Sequence, residues 1–240
     1  MNPLAYHLRT RGIIPAICIC ISLSNLAMAQ LPSIVVPVSA ESNHKIIFDN
    51  GKVRMYEVQL SKGRSTAFHE HTSDSFAVIL ATTTRANEPK NSERIVGPVQ
   101  AGQVGLASTA KGPYTHRIEA TGDVPYHVIA VEIFGTNRLG NSDNIAKRPA
   151  PFTYAAPENS RGRAYRLILK PGETAGPFER PANTAIFIIR GGRTSEIVDG
   201  KSPRLWDSET GSFRWNDESH NLAIRNEGAT EVEMIEIEVF

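Results

Sequence analysis

The chain has 240 residues, with 26 Lys and Arg against 25 Asp and Glu, so its formal net charge at pH 7 is +1. This balance lacks the basic excess that is typical of proteins binding nucleic acid or acidic membranes. Composition therefore gives no electrostatic reason for a nucleic-acid partner, and we expect none. A function has to be sought in a local site.

The segment from Met1 to Ala29 is typical of a signal peptide. Arg9 and Arg11 precede an apolar stretch that ends near Leu26, and Ala27-Met28-Ala29 has the small-x-small pattern of a cleavage site. The apolar stretch is short for a membrane span and contains Pro15. We predict cleavage after Ala29, a periplasmic or secreted location, and no membrane attachment after cleavage; an uncleaved anchor is the alternative.

Both cysteines of the chain, Cys18 and Cys20, lie inside this predicted signal peptide. The mature chain, beginning at Gln30, would then contain no thiol. Disulfides, cysteine nucleophiles and thiolate metal ligands are therefore excluded for the mature protein.

The rest of the sequence consists of short β-type runs separated by turn residues. Residues 30–42 are an irregular leader, and the runs HKIIFDNGKVRMYEVQL, AFHEHTSDSFAVILATTT and VPYHVIAVEIF follow. Residues 135–160 are rich in Gly, Asn, Pro and Ser and are predicted to be a linker. The β-type runs then resume with RAYRLILKPGE and end in VEMIEIEVF. No long amphipathic helix is indicated, so we predict an all-β protein.

The two halves on either side of the predicted linker are related. VRMYEVQLSKG ends at Gly63 and the similar GRAYRLILKPG ends at Gly172, and the interval between these two glycines equals the interval between Gly102 and Gly211. An all-β unit of about 90 residues repeated once predicts two sandwiches or barrels, over residues 43–134 and 161–240.

One segment of the first half resembles a family motif. Gly63 is followed by Arg-Ser-Thr-Ala-Phe and then by His69-Glu70-His71. This spacing is similar to the first motif of the cupins, in which a glutamate follows the histidines. Here the glutamate position falls on Ser75 or Phe76, so the chain departs from the family's pattern at that point.

A second segment, Gly112-Pro-Tyr-Thr-His116, resembles the second cupin motif. The resemblance covers nearly the whole mature chain. It implies two tandem double-stranded β-helix barrels of the jelly-roll type, an arrangement called a bicupin. It also implies a metal held by His69, His71 and His116.

The chemistry of these residues suits a metal ion. Residues two apart on a strand point to the same face, so His69 and His71 can approach one ion, with His116 as a third ligand. Three neutral imidazoles leave coordination positions open for water or substrate. Such a set accepts one divalent transition metal, and Fe, Mn, Zn, Cu and Ni all remain candidates.

Two further residues are candidates for this site. His127 shares strand parity with Ile129 and Val131, which we predict to face the barrel interior. His127 is then a fourth ligand, a proton donor or a histidine at the barrel rim. Asp74 would reach the metal only if the strand after His71 begins with a bulge.

The second half has lost most of this motif. At the interval that separates Gly63 from Gly172, Phe178 and Arg180 stand in the places of His69 and His71, and His220 is matched with His116. We predict a metal-free, degenerate C-terminal barrel, with Glu236 and Glu238 pointing away from its interior. Arg180 and His220 are candidates for contacting an anionic ligand. The alternative is that Arg180 pairs with Glu179 or another surface carboxylate.

Three functions are compatible with these observations. The first is an exported metal-dependent enzyme, oxygenase-like or related, acting on a small molecule in the N-terminal barrel. The second is a non-catalytic module that binds a metal or a small ligand, and the third is a purely structural protein. The two barrels are expected to pair within one chain, and a homodimer of the whole chain is left open.

Overall fold

The computed structural model describes residues 34–134 and 147–240, which form β-strands and turns with one short 3₁₀ helix, Val38–Ala40. The predicted signal peptide and residues 135–146 of the predicted linker lie outside these described residues. Within the described part of the chain, no helix is long and apolar enough to cross a membrane. The all-β prediction is confirmed.

The N-terminal half contains ten strands in two five-stranded sheets that enclose a barrel. The strands are β1 (Val35–Pro37), β2 (Lys45–Asp49), β3 (Val53–Leu60), β4 (Phe68–His71), β5 (Ser75–Ile79), β6 (Thr83–Pro89), β7 (Ile95–Val99), β8 (Val104–Ala107), β9 (Tyr114–Ala120) and β10 (Tyr126–Ile133). The sheet that carries the histidine motif has the order β1-β4-β9-β6-β7, and the other has the order β2-β3-β10-β5-β8.

The C-terminal half contains nine strands in two sheets. They are β11 (Thr153–Tyr154), β12 (Gly162–Leu169), β13 (Thr174–Arg180), β14 (Thr184–Arg190), β15 (Gly192–Val198), β16 (Arg204–Ser208), β17 (Phe213–Asn216), β18 (His220–Asn226) and β19 (Val232–Val239). Their orders are β11-β12-β19-β14-β17 and β13-β18-β15-β16.

These orders repeat those of the first half strand by strand, except that β1 has no counterpart. The turns repeat as well. Gly63 and Gly172 both have φ +77°, and Gly102 and Gly211 have φ +80° and +86°. A residue with a side chain rarely adopts such angles, which explains why glycine recurs at the same interval. The structure therefore confirms that one β unit is duplicated.

The two barrels share one hydrophobic core, formed between the sheet containing β10 and the sheet containing β19. Ile129 and Val131 of β10 pack there in one buried cluster with Phe187, Ile235 and Ile237 from the C-terminal half. The prediction that Ile129 and Val131 face the barrel interior is therefore wrong. They are apolar because the other barrel covers the outer face of their sheet, and the alternate residues, including Val128, line the interior of the first barrel.

The described part of the predicted linker, residues 147–160, packs against both halves. Phe152 is buried in the C-terminal barrel, and Ala156 lies in the shared core. Asn159 donates a hydrogen bond of 2.7 Å to the Asp74 carboxylate in the N-terminal half. This part of the chain therefore belongs to the folded body.

Candidate metal centre

Strands β4 and β9 bring the three predicted histidines together. The strands are antiparallel and His69 lies directly opposite His116. His71 lies two positions after His69 on the same strand and so points to the same face. One ring nitrogen from each of the three histidines lies within 4.8 Å of the others. The site is therefore built from two neighbouring strands rather than from a flexible loop.

Hydrogen bonds fix which ring nitrogens can bind a ligand. His69 Nδ1 donates to the Ala67 carbonyl at 3.0 Å, and His116 Nδ1 donates to Asn87 Oδ1 at 2.8 Å. The Asn87 amide is itself oriented, since its Nδ2 donates to the Tyr114 hydroxyl at 3.1 Å. In both rings Nε2 therefore carries the lone pair that can bind a metal. Metal-binding histidines are commonly oriented in this way, by a hydrogen bond from the ring nitrogen that does not bind the metal.

Burial keeps these imidazoles neutral. It lowers the pKa of His69 to about 4, with a further decrease from His44. Burial and the neighbouring His69 lower the pKa of His71 to about 3, and burial together with the other histidines lowers the pKa of His116 to about 2. Neutral imidazole is the form that binds metals, so all three side chains are in the required state at neutral pH.

The residues fit a metal ion on a further observation. His69 Nε2 and His71 Nδ1 are buried and have no hydrogen-bond partner among the described residues. His71 Nε2 lies 3.2 Å from His116 Nε2. Two such nitrogens either share a proton or direct both lone pairs at one cation. A cation bound by the Nε2 atoms of the three histidines would give His69 Nε2 the partner that the protein does not supply and would relieve the contact between His71 Nε2 and His116 Nε2.

A fourth histidine and a glutamate stand beside this group and were not anticipated from the sequence. The His44 ring lies 4.4 Å from the His69 ring, measured between centroids, and His44 Nδ1 donates to Glu41 Oε2 at 2.7 Å. Burial would raise the pKa of Glu41, but hydrogen bonds from His44, the Ala67 amide and Asn43 outweigh it and lower the pKa to about 2. Glu41 is therefore ionised and holds His44 in place.

Glu41 lies in the predicted leader, whose strand β1 pairs in parallel with β4, and His44 begins the β-type run that follows. The Glu41 carboxylate also accepts a hydrogen bond from the Ala67 amide at 3.1 Å. No motif marks His44 in the sequence; its position depends on this pairing of the leader with the strand that carries the histidines.

Two neighbouring cavities, which share lining residues, adjoin the histidines. The smaller, the histidine cavity, measures about 80 Å³ and is lined by all three histidines together with His44 and Ser75. The larger, the Arg85 cavity, measures about 400 Å³ and shares His116, Ile118 and Tyr126 with the first. A small molecule in the Arg85 cavity would therefore lie beside His116.

Arg85 lines the larger cavity without a counter-ion. It lies on β6 on the same face as Asn87, and its Nε is buried with no hydrogen-bond partner. No carboxylate among the described residues forms an ion pair with Arg85. A guanidinium group in such surroundings requires an anion or other acceptors, so the cavity is chemically suited to a negatively charged molecule.

The position of the family's glutamate is taken by Ser75. Its side chain lines the histidine cavity, whereas Phe76 points into the shared core. Asp74 does not approach the histidines, because its Oδ1 accepts hydrogen bonds from the Thr109 amide and hydroxyl at 2.7 and 2.8 Å. The prediction that Asp74 could be an additional ligand is therefore wrong.

His127 also lies away from the three-histidine group. Its Nε2 donates to Glu57 Oε1 at 3.0 Å, on the outer face of the β3–β10 pair. The prediction of a fourth ligand or an inner proton donor at His127 fails for the same reason as the prediction for Ile129. The interior of the barrel lies on the opposite face of β10.

The C-terminal barrel lacks the whole ligand set. In the pairing of β13 with β18, Phe178 lies opposite Leu222 and Arg180 opposite His220. By the same register His116, which faces His69, corresponds to Leu222, and His220 corresponds to Tyr114. The match of His220 with His116 is therefore wrong, and none of the three ligand positions carries a histidine.

Arg180 enters a buried ionic network in the interior of this barrel. It donates to Glu236 from Nη2 at 2.6 Å and from Nε at 3.2 Å, and to Glu196 at 3.3 Å. Arg148 donates to both Glu236 and Glu238 at 2.8 Å. The expected pairing of Arg180 with Glu179 is not found, and Glu236 and Glu238 point inward instead of away. Part of the interior of this barrel is therefore filled by paired charged side chains instead of apolar ones.

Comparison with known proteins supports this architecture. No protein-family model matches the sequence, and no curated protein matches it. Among solved structures, AerE from Microcystis aeruginosa is similar with a TM-score of 0.56 and 13% identity, over 83% of this chain and 98% of AerE. The chain has a bicupin fold.

Two further structures similar to this bicupin are enzymes. A variant of salicylate 1,2-dioxygenase from Pseudoaminobacter salicylatoxidans matches with a TM-score of 0.54 and 10% identity, over 78% of this chain and 71% of that one. An oxalate decarboxylase matches with a TM-score of 0.50 and 13% identity, over 78% and 68% of the two chains. At these identities the similarity establishes the fold, and the activity has to be argued from the site.

Proposed function

We propose that this bicupin is a metal-dependent enzyme that acts on a small organic carboxylate in its N-terminal barrel. The observation that carries the proposal is a group of three neutral, converging imidazoles beside a cavity that holds an arginine without a counter-ion. His69, His71 and His116 would hold one divalent transition metal, and the metal would supply Lewis-acid or redox chemistry. The names of the two enzymes with the same fold also specify small carboxylates, salicylate and oxalate.

Arg85 would bind the carboxylate of the substrate. Its unpartnered guanidinium offers N–H donors whose geometry matches two carboxylate oxygens. Because the Arg85 cavity includes His116, a substrate held there would present its remaining atoms to the histidine cavity. The apolar residues Ile79, Val99 and Ile118 line the same cavity and would exclude water from the substrate body.

His44 would orient the substrate from the other side of the histidine cavity. Its Nδ1 is held by the ionised Glu41, and its Nε2 makes no hydrogen bond with a described residue. Glu41 also bonds to Asn43 Nδ2 at 2.9 Å, so the position of the His44 ring is fixed before a ligand enters. A group fixed in this way loses little entropy on binding.

The metal part of the proposal is tested first. Mature protein purified under anaerobic conditions should contain close to one equivalent of a transition metal, and a His69→Ala/His71→Ala double variant should contain far less. Equal metal contents in the two proteins would contradict a metal site at these histidines.

The enzyme part is tested with a panel of small aliphatic and aromatic carboxylates, following oxygen uptake and product formation. Arg85→Met should raise the KM for a carboxylate substrate by at least tenfold, since a charge-assisted hydrogen bond contributes about 1.5–3 kcal/mol. Arg64→Met is the matched control, because Arg64 is exposed. A metal-loaded protein that binds these carboxylates without converting any of them would instead be a binding module.

We also propose that the protein is exported, on the sequence pattern from Met1 to Ala29. Protein recovered from a periplasmic or culture-medium fraction should begin at Gln30 on N-terminal sequencing. Recovery of the chain only from the cytoplasm, with its first residues intact, would contradict export.

A further inference from the structure

The C-terminal barrel contains a cavity of about 240 Å³ at the place that corresponds to the histidine site of the other barrel. Arg180, the counterpart of His71, forms part of its wall. Glu196, Arg204, Trp206 and Arg214 also line it. Because all three ligand histidines are missing here, the cavity has a different chemistry and does not repeat the metal site.

Not every charge in this wall is paired. Arg180 forms an ion pair with Glu236. Glu196 forms ion pairs with both Arg180 and Arg214, and its Oε1 lies 2.8 Å from Arg214 Nη2. Burial raises the pKa of Glu196, but Arg180 and Arg214 outweigh it and lower the pKa, so Glu196 is ionised. The guanidinium charge of Arg204 at the cavity has no carboxylate partner among the described residues.

The polar atoms that lack partners here are all donors. Trp206 Nε1 and Arg214 Nε are buried and make no hydrogen bond in the described part of the chain. The guanidinium groups of Arg204 and Arg214 lie over the Trp206 ring, with their Cζ atoms 4.1 Å and 4.6 Å from its centroid. Indole and guanidinium nitrogens can only donate, so the missing partner is an acceptor. An acceptor that also balances the charge of Arg204 is an anion.

The size and the remaining walls narrow the class of anion. The volume lies below the roughly 300–1,000 Å³ that is usual for sites of drug-sized ligands. Ile186, Val198, Trp215 and Leu222 supply apolar surface, which an inorganic ion would leave uncovered. His220 also lines the cavity, and carboxylate oxygens of Asp199 and Glu218 lie 4.0 and 3.9 Å from its ring nitrogens, so this side of the cavity is less suited to an anion.

We propose that the C-terminal barrel binds a small organic carboxylate, with Arg204, Arg214 and Trp206 contacting its oxygens and the apolar wall contacting its body. This site is separate from the metal centre and does not depend on the proposed enzyme activity. The sequence pointed to Arg180 and His220 as contacts for an anion in this barrel, and we assign these contacts instead to the neighbouring Arg204, Arg214 and Trp206.

The chain provides its own probe of this site. Its two tryptophans are Trp206 and Trp215, and both line the C-terminal cavity. Trp215 also contacts Phe48 of the N-terminal barrel, at 5.4 Å between ring centroids, so the part of the fluorescence signal that Trp206 contributes is the one that reports on this cavity alone. Acetate, benzoate and phenylacetate would be titrated into the full mature protein, with benzyl alcohol as a neutral analogue of benzoate.

Benzoate or phenylacetate should change the fluorescence saturably, and benzyl alcohol should not. Arg204→Gln should weaken this binding by about tenfold or more, because one charge-assisted contact is lost. Arg193→Gln is the matched control, since Arg193 is exposed and paired with Asp207. Trp206→Phe keeps an aromatic ring but removes the Nε1 donor; it should weaken binding as well, with Trp215 still reporting.

The proposal is overturned if none of the three carboxylates gives a saturable change in the wild-type protein. It is also overturned if benzyl alcohol binds as well as benzoate, or if Arg193→Gln weakens binding as much as Arg204→Gln. Because Arg204 is exposed and lies outside the buried ionic network, its variant should keep the wild-type far-UV circular dichroism spectrum.

Discussion

Replacing Asn87 with alanine should weaken metal binding without removing a ligand. Asn87 Oδ1 accepts the 2.8 Å hydrogen bond from His116 Nδ1, and this bond keeps the lone pair of His116 on Nε2. Without it the ring can rotate or adopt the other tautomer. Loss of a partner of this kind lowers metal affinity about 10- to 100-fold, which corresponds to about 1.4–2.8 kcal/mol.

The assay is a competition titration of Zn²⁺ between the mature protein and a chromophoric chelator of known affinity. Tyr114→Phe should have a smaller effect, because Tyr114 accepts from Asn87 Nδ2 at 3.1 Å and acts on His116 only through that amide. Asn221→Ala, on the exposed surface of β18, is the matched control. An Asn87→Ala protein that is folded and binds Zn²⁺ as tightly as the wild type would refute the reasoning.

Three further predictions concern stability, each measured by chemical denaturation. Phe187→Ala should lower the free energy of unfolding by about 3–5 kcal/mol because Phe187 is fully buried in the shared core, whereas Leu205→Ala on the surface should change it by less than about 0.5 kcal/mol. Glu236→Gln should cost about 3–5 kcal/mol, since Arg180 and Arg148 lose a buried partner, while Asp123→Asn at an exposed pair should have no measurable effect. The stability lost in Glu236→Gln should depend on pH. Burial alone would raise the pKa of Glu236, but Arg180 and Arg148 lower it to about 2. The contribution of the ionised Glu236 to the free energy of unfolding is therefore complete above pH 4.5 and is lost as the pH falls towards 2. A deficit that is constant from pH 5 to pH 2.5 would contradict the ionised pairing.

The fold was predictable from the sequence because its signals are local. Glycines that must adopt positive φ recur at Gly63 and Gly172, and the short β-type runs between such turns specify strands. The three histidines were predictable too, since two of them share a strand face and the third lies in a recognisable turn motif. These features depend on neighbours along the chain.

Other parts of the site depend on contacts between distant segments. His44 carries no motif, and its place beside His69 depends on its hydrogen bond to Glu41 and on the pairing of β1 with β4. The interior face of β10 was assigned wrongly because both faces of that strand are buried, one against the barrel interior and one against the second barrel. Alternation of apolar residues identifies a buried strand face, but it does not show whether the strand's own barrel or the second barrel covers that face.

The register of β18 was also beyond sequence comparison. Loops of unequal length precede β9 and β18, so comparison of the sequences alone matches His220 with His116. The position of His220 opposite Arg180 shows the true register. Charged residues on apolar strands were misplaced for a similar reason. Glu236 and Glu238 are inside the barrel because arginines from three separate segments meet them there.

The hydrophobic core shared by the two barrels also suggests a use for the C-terminal half, which has no ligand histidines. Linking both halves in one chain holds them at a high effective concentration, so they associate at any dilution of the protein. Separated from its partner, the N-terminal half would expose Met55, Phe76 and Val131 as one continuous apolar surface. Exposed apolar surfaces of that size promote aggregation, and the C-terminal half covers this one within the same chain.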